Sequence, residues 1–479
     1  MGGYSGYSLY QYPMQSQPME IVYSGIGLRM LPNEFSLDDP VFLRHLLVMM
    51  CVIRNIFHMY LCWRQLRLAQ WSKEVPREMQ SGMSAQVFLE IRDEESFAVE
   101  QQLMSYLFDA IFSIIELYFG VLPFLWRIII SCYSIVDDLV WQSMAFVSLF
   151  SCYMVLRGLP LVFYTKLVLV TFYNVSEEKS YPLIGVLCSF TLLVVLLQVG
   201  LFPLTVIALA IEKAGGYYFS LWIFGFLFAV TLILLVAFNL YGFRCIGKMK
   251  KAPGGLQNTL ADVLKKFKFP SDCVYILRTF DGAAETAFAC GCCCTKHVVI
   301  FESLLLNRGR PETEVHPDDV GLGLKDDQVV ALVAHELSHW HYKHLIINFC
   351  LIHITLLIYL MLFGICYWYP PLYQAAGFPV TFYPPIVGYW LVYKYLMPLY
   401  LTITNWILFF MMRYFEYKAD AYITKMGYGT AFCSALVKLA VDNQVFPYVD
   451  TWYLMWHRTK PPELQRIKNI ARLQSDSTV

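Results

Sequence analysis

Long apolar runs separated by charged stretches dominate the chain. A helix crosses the bilayer hydrocarbon with about 20 mostly apolar residues. By that rule about seven segments are expected to span, roughly 41–63, 103–126, 143–172, 182–211, 217–243, 345–368 and 384–411. The fourth and fifth are the cleanest, since Leu183–Ile211 and Tyr217–Phe243 hold no charge. Others carry Arg44, His45 and Arg54, Asp109 and Glu116, or Arg157 and Lys166. Ionisable groups are costly in hydrocarbon. Snorkelling toward the interface accounts for Arg44 and Lys166, whereas Asp109, Glu116 and Arg157 are expected to face a wet internal cavity.

With seven spans, 64–102, 173–181, 244–344 and 412–479 share one side. That side holds Arg64, Arg67, Lys73, Arg77, Arg92, Arg244, Lys248, Lys250 and Lys251, while the opposite loop 369–383 has no Lys or Arg. The basic side is therefore expected to be cytosolic. The chain divides into a polar N-terminal segment (1–40), five spans (41–243), one half of a soluble-facing domain (244–344), two spans (345–411) and its second half (412–479). Residues 1–40 show neither a signal peptide nor a myristoylation pattern. Within 244–344, Leu256–Phe269 reads as a short amphipathic helix. Cys273–Phe280 and His297–Phe301 read as strands.

The candidate chemistry sits at the end of that segment, in His335-Glu336-Leu337-Ser338-His339. Helix positions four apart lie one above the other, so His335 and His339 can both hold one metal. Glu336, about a hundred degrees round, is placed to take a proton from a metal-bound water. An apolar run, Val329, Val330, Leu332 and Val333, leads into the motif, with Asp326 or Asp327 as the expected N-cap. The bland alternative is a surface helix with incidental histidines, since His341 and His344 follow. A catalytic zinc site needs a third protein ligand. Tyr342 and Leu345 stand where a metzincin needs Gly and His, which excludes that class. Glu416 is the best candidate, because Asp420 lies one turn further on the same face. From there Asp420 can accept the free N–H of a ligating histidine or hand protons to the reaction.

Composition agrees with a membrane protein. Hydrophobic residues make up 58%, aromatics 16% and charges 15%, with a mean hydropathy of +0.51 and no net charge. A neutral chain without a basic surface argues against nucleic acid as a partner. Fourteen cysteines without repeated spacing indicate reduced thiols. The Cys290–Cys294 cluster admits metal binding or acylation, with ordinary buried thiols the plainer reading.

The spaced motifs His335-Glu-Leu-Ser-His339-Trp, Arg413-Tyr-Phe-Glu416-Tyr-Lys-Ala-Asp420-Ala, Asp442-Asn443 and Met455-Trp-His457 with Pro461-Pro462-Glu-Leu-Gln-Arg466 together resemble the type-I CAAX prenyl endopeptidases. These are integral-membrane zinc gluzincins. The resemblance covers about residues 40 to 470. It implies a predominantly α-helical multi-pass membrane protein, with about seven helices around a large water-filled chamber and a cytosol-facing zinc peptidase domain. It further implies one Zn²⁺ per chain on His335, His339 and Glu416, with Glu336 as general base, Asp420 as supporting carboxylate and Arg466 near the substrate. Cleavage of the last three residues after a prenylated cysteine, in the endoplasmic reticulum and inner nuclear membranes, comes with it. Where the family has S-N-A-Y on a substrate-binding edge strand this chain has Glu285-Thr286-Ala287-Phe288. Where a histidine usually precedes the Pro-Pro pair it has Lys460. Thr286, Lys460 and Arg466 are thus the expected substrate-binding positions, Thr286 and Lys460 being the departures. They also support an alternative, a zinc-binding membrane pseudo-protease or chaperone-like factor for lipidated or translocating proteins. A transporter, suggested by the charged spans, is opposed by the complete ligand set.

Overall fold

The computed structural model describes residues 32, 34–132, 138–173, 183–241, 249–270, 272–278, 287–291, 296–310, 313, 320–379 and 383–478. Asp39 starts the first long helix, α1 (Pro40–Trp71). Its Oδ1 accepts the Val41 and Phe42 N–H groups at 2.8 and 3.3 Å, and Pro40 occupies a position where no N–H is needed. α2 (Ala85–Tyr118) runs antiparallel to α1, Gln65 meeting Glu95 at one end and Asn55 meeting Asp109 further along. At Gly120, with φ +61°, the chain bends by 58° into α3 (Val121–Cys132). α4 (Leu139–Tyr164) continues through a π-helical turn at 165–169 into α5 (Val170–Phe172). α6 (Leu183–Gly215) and α7 (Phe219–Tyr241) pack on each other after a turn at Gly216.

The soluble-facing part follows: β1 (Met249–Lys251), α8 (Gly254–Lys266), β2 (Val274–Leu277), β3 (Ala287–Cys290), β4 (His297–Phe301) and α9 (Asp326–His341). The sheet order is β1-β2-β4-β3, with β2 and β4 parallel and both outer pairs antiparallel. Among the described residues β3 is thus an edge strand. The expected strand 297–301 matches β4, and within the expected Cys273–Phe280 the structure forms β2 over Val274–Leu277, residues 279–280 lying outside the described residues. The chain then returns through α10 (His344–Tyr367), α11 (Pro370–Ala375), α12 (Pro385–Leu391) and α13 (Met397–Lys425), and closes with α14 (Gly429–Asp442), α15 (Thr451–His457) and α16 (Glu463–Thr478).

Among the described residues five helical stretches are long and apolar enough to cross a membrane, or six if the bent α2–α3 pair is one span. The expectation of seven counts α6 and α7, the two arms of the Thr191–Ala237 run, separately. Within the bundle, Asp109 accepts from Arg54 at 3.1 Å and Arg157 at 2.6 Å and pairs with Lys394. A cavity of about 670 Å³ opens there, lined by Arg54, His58, Asp109, Arg157, Lys394 and His457 together with aromatic side chains. Asp109 and Arg157 therefore face a cavity. Glu116 does not: it is buried behind, accepting from Tyr153 at 2.9 Å and Tyr395 at 2.6 Å with Arg157 at 3.3 Å. Arg44 corrects the snorkelling expectation. It is 2% exposed, with the guanidinium over the Tyr118 ring at 5.9 Å, so it is held inside the protein rather than reaching for the interface.

Candidate active site

α9 is held by its apolar stripe. Val329, Val333 and Leu337 are fully buried against Leu264 of α8, Val298 and Ile300 of β4, and Phe432 and Leu436 of α14. Burying one such side chain is worth about 1.5–3 kcal/mol, so the stripe fixes the rotation of the helix about its axis. The helix begins differently from expectation. The Lys325 N–H donates to Gln328 Oε1 at 3.0 Å, and Asp326 and Asp327 are its first two residues, where their charge suits the positive end of the helix dipole.

With that rotation set, His335 and His339 face α13. His335 Nε2 lies 3.0 Å from His339 Nε2 and 3.3 Å from Glu416 Oε2, and His339 Nε2 lies 3.8 Å from Glu416 Oε1. Tetrahedral ligands at about 2.1 Å from a zinc ion stand about 3.4 Å apart. The three observed separations bracket that value, so the donor set fits a zinc-sized ion. His335, His339 and Glu416 form one cluster whose ligand atoms all lie within 4.8 Å of one another.

Around these atoms lies a polar clamp. Arg466 on α16 donates to both oxygens of Asp420, at 2.9 and 2.7 Å, and its other contacts are His335 Nε2 and Glu416 Oε2, each at 3.3 Å. Asp420 Oδ1 is 3.1 Å from His335 Nδ1, close but off the line of a good hydrogen bond. The His335 ring stacks on Phe432 with centres 4.9 Å apart. Arg466 is itself buried, with its guanidinium over the face of the same Phe432 at 5.2 Å.

The charges follow from this packing. Burial alone would lower the His335 pKa, but the Asp420 and Glu416 carboxylates outweigh it and raise the value to about 9. His339 is lowered to about 3, by burial first and by the neighbouring His335 second. Burial raises Glu336 to about 7, assisted by Glu416 and opposed by His335, Lys460 and Arg466. Lys460, on the exposed turn before α16, is thus close enough to act on Glu336.

Thr286 and Cys292–Cys294 lie outside the described residues. Cys290 ends β3, whose following residue, Gly291, accepts a hydrogen bond from the Trp340 indole at 3.1 Å. That bond ties the edge strand to α9. Sequence reasoning passed over Phe432, which carries the His335 ring, and His344, which touches His339. His344 stood in the sequence only as one more histidine after the motif.

Two family models adjoin along the chain: the CAAX prenyl protease N-terminal region, with five membrane helices, over residues 65–246, and peptidase family M48 over residues 251–474. The chain belongs to the type-I CAAX prenyl proteases. It is accordingly a multi-pass membrane metalloendopeptidase of family M48 with a metal cofactor. The human CAAX prenyl protease 1 homolog is 26% identical over 451 residues, covering 88% of this chain and 93% of that protein. CAAX prenyl protease 1 of Saccharomyces cerevisiae is 23% identical, covering 86% and 91%. The crystal structure of Ste24p from S. mikatae shares the fold, with a TM-score of 0.64 at 21% identity over 89% of this chain and 98% of that one.

Proposed function

We propose that this protease is a zinc enzyme that removes the last three residues of prenylated CAAX proteins, working at the endoplasmic reticulum and inner nuclear membranes with its site reached from the cytosolic side. The observation that carries the reading is the meeting of His335, His339 and Glu416, from two helices, at zinc-ligand spacing. The basic loops on the side that bears them support the orientation, and the peptidase domain is read as 244–344 joined to 412–479 around the last two spans.

Zinc bound there supplies Lewis acidity to the scissile carbonyl and acidity to water. Glu336 takes the proton of the attacking water at its carboxylate and passes it to the leaving amine; a base titrating near neutrality suits that exchange. Lys460 places a cation where negative charge develops on the carbonyl oxygen, in the position usually held by histidine in the family. The Arg466–Asp420 pair holds His335 in orientation. β3, open on one edge and fastened to α9, supports pairing with an extended substrate backbone near Thr286.

The test is release of the terminal tripeptide from a farnesylated C-a-a-X peptide by detergent-purified protein, with and without a zinc chelator. Chelator-sensitive release is expected. No release from protein that holds one zinc would instead favour the pseudo-protease reading that Lys460 motivates, and Lys460→His would then be expected to restore cleavage.

A further inference from the structure

A histidine that binds a metal through Nε2 must carry its proton on Nδ1, and that N–H needs an acceptor. His335 has Asp420 beside its Nδ1, at 3.1 Å. Among the described residues His339 has no carboxylate there. Its Nδ1 lies 2.9 Å from Nδ1 of His344, the first residue of α10. Lys343, in the left-handed region at φ 56°, turns the chain sharply between α9 and α10, which brings His344 back under the preceding turn. The ring is buried, 3% exposed, and fixed on its faces, parallel to Phe415 with centres 4.2 Å apart and to Tyr342 at 5.5 Å. Phe415 directly precedes Glu416, so the same contact ties His344 to the helix that brings the third ligand.

We propose that His344 is a positioning residue of the metal centre: its Nδ1 accepts the Nδ1–H of His339, which fixes the tautomer and the ring orientation that turn His339 Nε2 toward the metal. His344 must then carry its own proton on Nε2, an atom that is buried and has no hydrogen-bond partner among the described residues. Loading the metal therefore fixes the tautomers of two histidines at once. One ligand is backed by a carboxylate and the other by a neutral imidazole, which raises ligand basicity less.

The inference rests on the reading of His335, His339 and Glu416 as metal ligands, so the parent protein and His339→Ala are measured first. Parent protein that binds no zinc, or His339→Ala that binds as the parent does, would end that reading rather than this one. Given a zinc-binding parent, zinc affinity is measured by competition with a chromophoric chelator in His344→Asn, His344→Gln and His344→Phe. Asn places its amide oxygen near the Nδ1 position and should stay within about threefold of the parent, whereas Gln reaches toward Nε2 and Phe keeps only the stacking. Both should lose roughly 10- to 100-fold in affinity, the usual consequence of removing such a partner. The absorption bands of the cobalt-loaded protein should shift in Gln and Phe and not in Asn. Parental affinity in Gln, or an Asn variant as weak as Gln, would overturn the proposal. The Asn–Gln comparison decides the matter even where the Phe variant does not fold.

Discussion

Glu336 and His335 sit next to each other on one turn yet answer to different fields. Glu336 is forced up to about 7 by burial, and if it serves as the proposed base its loss should be felt in the chemistry alone. Glu336→Gln is expected to lower tripeptide release by roughly 10²- to 10⁴-fold while zinc content, read by atomic absorption, stays at that of the parent. His335 is held protonated to about 9 by its two carboxylate neighbours. Its proton must leave before Nε2 can accept a metal, so below that pH every step down weakens binding. Apparent zinc affinity should therefore rise about tenfold per pH unit between pH 7 and 9 and level off above, as titrations against a chelator at fixed pH would read out. A flat profile would mean that His335 is already neutral at pH 7.

At the scale of elements, what could be read in the sequence depended on how far the information had to travel. The H-E-x-x-H spacing lies within a single helix, so chemistry and periodicity coincide in a few residues. Glu416 could be proposed as third ligand because a catalytic zinc site calls for one and Asp420 marks its helix face, and the structure brings it to His335 and His339. His344 could not, because the left-handed Lys343 breaks the helical count between it and His339. β1 and β3, three and four residues long, are too short for an alternating pattern to declare itself. The helix starts one residue earlier than expected, at a Lys325 N-cap whose own N–H is taken by Gln328, so both aspartates fall inside the first turn. One consequence concerns the turn before α9. Gly323, at φ +90°, packs so tightly that a Cβ would lie 2.4 Å from the Leu305 carbonyl oxygen, and its N–H donates to Asp442 at 3.0 Å. Gly323→Ala should cost about 1–3 kcal/mol, seen as a lower melting temperature in detergent together with weaker zinc retention. An unchanged melt would show that the turn yields freely.

For the molecule as a whole, the membrane helices are joined by charge as well as by apolar packing. Arg54, Arg157 and Lys394, from α1, α4 and the π-helical turn before α13, all converge on Asp109 of α2. Snorkelling misjudged Arg44 for a related reason: whether an ionisable group stays inside depends on partners contributed by other helices, which a single span does not disclose. Asp109→Asn removes the shared anion and should destabilise the protein by about 3 kcal/mol, the low end for a buried pair because this carboxylate is 23% exposed. Adding Lys394→Met should recover part of that loss in a thermal melt; a double variant no better than the single would argue against the charge count. A longer reach follows from α13. Its 29 residues measure about 43 Å, more than the roughly 30 Å of hydrocarbon, so the helix that carries Glu416 is part of a stretch long enough to cross the membrane. Were such a rod to lean by ten degrees about a point ten residues below Glu416, the carboxylate would travel roughly 2.6 Å, far beyond the ±0.2 Å or so that a metal–ligand bond tolerates. Bilayer thickness is therefore expected to reach the site through α13, and tripeptide release measured in amphiphiles of different acyl-chain length should differ in rate; equal rates would show that packing against the neighbouring helices holds α13 fixed.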